Sequence, residues 1–150
     1  MNIAVVVARI LLGLVFVAAG LSGFFLINSP PPPPPGLAGA FQHVFFQSRW
    51  VLFVDAIEFL AGALLLANRF VALALTLLGG VISNIIVYHV TLAPAGIPVA
   101  GIVTLLWCIV VSRYRSSFAP LFAPKPLKDG QVVASVVEYR RPPAPALGAP

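Results

Sequence analysis

Acidic side chains are almost missing from this chain: four in 150 residues against nine Lys and Arg, with charged residues at only 9%. A soluble domain carries about 25% charged residues, so there is too little polar surface here to cover a water-borne globule. Cysteine is scarcer still. The lone Cys108 excludes an intrachain disulfide and paired-cysteine thiol chemistry within one copy, and its apolar neighbours predict a small buried side chain. The two histidines, His43 and His89, lie in separate segments, so no metal site is expected. There is no phosphate-cradling glycine loop, no dinucleotide fingerprint and no serine elbow, which leaves soluble-type catalysis by this chain unsupported. The net charge of +5 does not point to nucleic acid, because the basic residues sit at the ends of apolar runs and in the tail.

Apolar residues make up what is there, at 60% of the chain with a mean hydropathy of +1.03. Four runs approach the roughly 20 residues a spanning helix needs: about 3–27, 50–67, 70–90 and 95–112. The expected fold is all-α: a polytopic four-helix transmembrane bundle over 1–115, followed by a mostly disordered cytoplasmic tail over 116–150. The first run is too long for a signal peptide and its basic residue is not at the start, so it reads as a retained span. An N-terminus in the cytoplasm puts Arg9, Arg69, Arg113, Arg115 and the tail's basic residues inside, with only Arg49 outside. Both termini are therefore expected on the cytoplasmic side.

The connections differ in kind. Asn68-Arg69 leaves room only for an antiparallel hairpin, and TLAPAG is a short external turn. The first external loop opens on six prolines, Pro30 to Pro35, a polyproline II rod rising about 3.1 Å per residue. GLAGAFQHVFFQSR follows, with Phe41, Val44, Phe45 and Phe46 on one side of a helix too short to span. It is expected to lie at the outer surface or fold over the mouth of the bundle. Beyond Ser112 the sequence turns basic, aromatic and proline-punctuated, then low in complexity.

Two of the four acids, Asp55 and Glu58, fall inside the second apolar run. An acid at the centre of a membrane helix costs roughly 2.5 to 3.5 kcal/mol on insertion scales. A spacing of three puts both on one helix face. At 1.5 Å per residue Asp55 lies about 7 Å and Glu58 about 12 Å below the outer boundary, and Asn84 on the third run about 9 Å below it. Tyr88 shares Asn84's face, while His89 points about 140° away. Asp55, Glu58, Asn84 and Tyr88 are thus expected to converge in the outer half. Each also has a plain structural reading. Glu58 can be a neutral carboxyl bonded to a neighbouring helix, since burial favours the protonated form. Asp55 can reach headgroup water, Asn84 can join helices, and Tyr88 with His89 can form an interfacial belt. Arg9 either extends to the cytoplasmic headgroups or turns inward toward Glu58. Gly13, Gly20, Gly62, Gly79 and Gly80 read as sites of close helix packing.

The stretches ARILLGLVFVAAGLSGFF, DAIEFLAGALLLANRF and LTLLGGVISNIIVYHVTLAPAGIP, within residues 8 to 115, resemble the DoxX-like family of small four-span bacterial membrane proteins. The resemblance implies the bacterial inner membrane and makes Arg9, Glu58, Asn84 and His89 the recurring polar positions. A lysine that many relatives carry near the end of the first span has no counterpart here, where Ser22 and Gly23 stand. The family is named for a subunit of a sulfur-compound:quinone oxidoreductase. Three functions are then in view: a redox-associated subunit with a quinone or proton-exchanging pocket, a membrane scaffold without catalysis, and a small proton-coupled transporter. The partners these imply are the lipid bilayer, redox proteins and further copies of the chain; quinone is the one cofactor in view.

Overall fold

The computed structural model describes residues 3–122, and every element in that range is helical. In chain order they are α1 (Ile3–Leu26), α2 (Leu37–Gln47), α3 (Trp50–Leu66), α4 (Val71–Thr91), a 3-10 turn at Pro94–Gly96, α5 (Ile97–Phe118) and a last 3-10 turn at Ala119–Phe122. The chain divides into two units, 1–115 and 116–150. The expected disordered tail, from 123 on, lies outside the described residues. α5 continues to Phe118, six residues past the expected end at 112, because neither glycine nor proline interrupts it before Pro120.

Three helices are long and apolar enough to cross a membrane: Ile3–Leu26, Val71–Thr91 and Pro94–Phe118. Their outward faces carry bare aliphatic and aromatic side chains, among them Leu14, Phe25, Leu73, Val87 and Leu105. Water would penalise such a surface and hydrocarbon would not. α3 is equally apolar but has 17 residues, about 25 Å of helix.

α3 is the central element, with α1 on one side, α4 on the other and α2 near its start. Between apolar helices in lipid there is no hydrophobic drive, so small residues that let backbones approach decide the packing. The buried face of α1 runs through Val5, Ala8, Arg9, Leu12, Gly13, Phe16, Gly20 and Gly23, at steps of three and four. It meets α3 antiparallel, Gly13 against Gly62 and Gly20 against Asp55 and Phe59. A Cβ added at Gly62 would stand 2.8 Å from both the Gly13 carbonyl oxygen and the Val17 nitrogen. One added at Gly20 would stand 2.5 Å from the Asp55 carbonyl oxygen. Backbone cannot yield there as a side chain would, so no larger residue fits.

α3 turns into α4 through a closed hairpin. Asn68 takes the left-handed conformation at φ 53°, with its N–H on the Leu65 carbonyl and the Arg69 N–H on the Leu64 carbonyl. This pairing satisfies the last carbonyls of α3, and Asn tolerates the left-handed region better than most residues. α5 is tied to α4 by one polar contact: the Trp107 indole N–H donates to the Leu75 carbonyl at 2.9 Å, with the ring over Gly79. Cys108 is exposed on α5 rather than buried, on the same apolar surface as Leu105.

α2 is seated on the proline rod. The Gln42 side-chain amide donates to the Pro31 carbonyl at 3.1 Å, and the Pro34 carbonyl leaves no room for a Cβ at Gly39. Ser48 and Arg49 alone separate α2 from α3, and Arg49 turns the corner at φ 57°.

Candidate functional site

α3 carries Asp55 and Glu58 on one flank, and both are buried, at 7% and 8% exposure. They line a groove of about 970 Å³ bounded by α2, α3 and α4. Its walls are apolar: Phe41, Phe45 and Phe46 come from α2, Phe53 and Ile57 from α3, and Val81 and Ile85 from α4. Residues 50, 53, 54, 57 and 58 all reach the groove, the three-and-four rhythm of one helix face.

The two acids sit differently. Asp55 is pressed against Gly23 of α1, where its carboxylate occupies the space a Cβ would need. Its Oδ2 is buried without a hydrogen-bond partner. A buried polar atom left unpaired costs about 1 to 3 kcal/mol, more if charged. Glu58 is one turn further along α3, in the middle of that helix and the last of its residues to line the groove.

Across from them, α4 contributes Asn84 and Tyr88. The Asn84 side-chain nitrogen donates to the Gly80 carbonyl of its own helix at 2.9 Å, so this group does not join α4 to α3. Tyr88 is half-buried, and its ring lies 5.4 Å from that of Phe41, which stacks in turn on Phe45 at 5.6 Å. These rings fasten α2 across the groove.

The remaining two expected positions lie elsewhere. Arg9 is buried and donates to the Leu65 carbonyl, near the C-terminal end of α3. It neither extends to the surface nor meets Glu58, which lies seven residues, about 10 Å, back along the helix. A cation at a helix C-terminus is favoured by the negative end of the helix dipole, and the antiparallel register places Arg9 there. His89 turns to the other side of α4. Its Nδ1 lies 2.8 Å from the Ile85 carbonyl, and its ring packs against Gly96 and edge-on to Tyr88 at 5.2 Å. It seats the Pro94–Gly96 turn.

The structure therefore brings Asp55, Glu58, Asn84 and Tyr88 to one groove and leaves Arg9 and His89 outside it. Sequence reasoning missed Trp50, Phe53 and Gln42 as lining residues; the rhythm of apolar positions before Glu58 was the available signal for the first two. Gly80 also differs from its expected packing role. A Cβ there would meet nothing within 4 Å, because the groove opens above it.

No Lys, Arg or His among the described residues lines the groove. Among the described residues no three His, Cys, Asp or Glu gather as a metal site would require. The arrangement is two carboxyl groups with no basic residue beside them among the described residues, in an apolar cleft large enough for a drug-sized molecule. Such groups can take up and release protons, or pair with donors on a ligand. Compared with known proteins, the chain matches no family model, no curated protein and no solved structure.

Proposed function

We propose that this chain is a four-span protein of the bacterial inner membrane, with both termini in the cytoplasm, that binds a quinone headgroup and exchanges protons with it at Glu58. In this reading it serves a membrane redox complex, as the resemblance of residues 8 to 115 to the DoxX-like family implies. α3 is the fourth span. It is short, but α1 and α4 flank it on both sides, and its sequence is as apolar as theirs. α2 then lies at the outer surface, with Phe41 and Phe45 turned to the groove.

One observation carries the proposal: Glu58, buried in the middle of α3, lines an aromatic groove that Asp55 and Tyr88 also line. The residues present suit a quinone. Its flat ring matches walls of Phe41, Phe45 and Phe53, and its oxygens match the Tyr88 hydroxyl and a protonated Glu58 as donors. A bound quinone supplies two-electron, two-proton chemistry; the chain's part is to bind the ring, exclude water and hold a proton on the Glu58 carboxyl.

The test is extraction with native lipids followed by assay for bound quinone, and titration of the purified protein with a short-chain quinone analogue. We expect saturable binding, weakened roughly tenfold by Glu58→Gln, the equivalent of about 1.4 kcal/mol. Repeated absence of quinone together with no binding of the analogue would overturn the reading.

A further inference from the structure

Two acids line this groove, and among the described residues no basic side chain does. Arg9, the buried cation of the described helices, is committed to the Leu65 carbonyl. Glu58 is more than nine-tenths buried and lines the groove; Asp55 lines it too, with its unpaired Oδ2 turned to Gly23 of α1. The rings of Phe41, Phe45, Trp50, Phe53 and Tyr88 line the same groove. Aromatic faces attract organic cations, most strongly where water is excluded.

We infer that the groove between α2, α3 and α4 binds lipophilic organic cations, with Glu58 as the counter-charge and the aromatic rings of the lining as the walls. The inference rests on the groove being a ligand site, as proposed above, and adds a second ligand class to it. A compact metal ion does not fit, since two carboxyls fall short of the six to eight oxygens calcium requires and apolar walls cannot supply the rest. A quaternary ammonium or an arylphosphonium does, because it needs charge and an apolar enclosure and asks for no directed hydrogen bonds. About 970 Å³ accommodates such a molecule.

Binding is coupled to protons. A carboxyl that pairs with the cation gives up its proton to water, so cation and proton compete for the same oxygens. Asp55 and Glu58 on α3 and Tyr88 on α4 are the titratable groups of the groove. α2 adds none, and α1 presents Gly20 and Gly23 to Asp55. Cation affinity should therefore fall as the pH is lowered.

The experiment uses the full chain in lipid nanodiscs and three probes: tetraphenylphosphonium, tetraphenylborate of matching shape and opposite charge, and a short-chain quinone analogue. Saturable binding of the phosphonium is expected, with the borate excluded. Affinity should drop on the order of tenfold in Glu58→Gln and return in Glu58→Asp. Equal binding of phosphonium and borate would overturn the inference, as would a phosphonium affinity unmoved by Glu58→Gln or by acid. Should Glu58→Gln fail to fold, the phosphonium–borate contrast and the pH series on the unmodified chain decide the matter. Binding of the quinone analogue without the phosphonium would sink this inference and leave the redox reading standing. Phosphonium binding without the quinone analogue would do the reverse, and binding of neither would remove both.

Discussion

Gly20 and Gly62 set how near α1 and α3 can come, and Gly80, in the same kind of helical setting, sets nothing of the sort. Replacing Gly20 with leucine would drive a side chain into the α3 backbone at Asp55 and Phe59. We expect a loss of about 1 to 3 kcal/mol, the usual range for overpacking, read as a lower thermal midpoint in nanodiscs. Gly80→Ala should change stability by no more than about 0.5 kcal/mol, because the added methyl enters open space. The sequence could not separate these glycines, since what distinguishes them is a neighbour 35 or more residues away or the lack of one. Arg9 teaches the same lesson. A buried charge announces that a partner exists, but this partner is the carbonyl of Leu65, and a backbone carbonyl leaves no mark in the sequence. Asp55 and Glu58 were legible for the opposite reason: acids in an apolar run are costly wherever they end up.

Among the elements, α2 depends most on its surroundings. It has 11 residues, too few for an isolated helix to persist in water. The proline rod, the Phe41–Tyr88 contact and the two-residue link to α3 hold it in place. Gly39→Val should lift it off the Pro34 carbonyl. Amide exchange across residues 37–47 should then rise about tenfold, or about 1.4 kcal/mol of local opening, with α3 and α4 unchanged. A mass-spectrometric exchange experiment compares the three helices in one run. Helix boundaries were readable to within a residue or two wherever a breaker marked them, as at Asn68 and at the Pro94–Gly96 turn. The end of α5 was not. The shift to basic residues after Ser112 marks the end of the apolar stretch, and the helix runs on past it to Phe118.

For the molecule as a whole, composition alone made a membrane setting readable, because 9% charged residues cannot dress a soluble surface. The groove was legible only as a meeting of four polar residues. Its size follows from the way α2 lies across α3 and α4, which no spacing encodes. The proposed orientation is checked by fusing a fluorescent protein or an alkaline phosphatase after residue 150. A cytoplasmic C-terminus gives a fluorescent fusion and an inactive phosphatase. Moving Arg69 and Arg113 to alanine together should shift a measurable fraction of the fusion to the outside, since these charges set topology.

The length of α3 has a bearing on how protons would reach Glu58. At 17 residues it is about 6 Å shorter than the 21-residue α4. The Asn68 hairpin holds the two level at one end, so the whole shortfall falls at the other, where α2 lies and Asp55 is one turn in. A bilayer meets such hydrophobic mismatch by thinning locally. The resulting dimple would lower the water level toward the groove and bring Glu58, in the middle of α3, nearer to water on the side of α2.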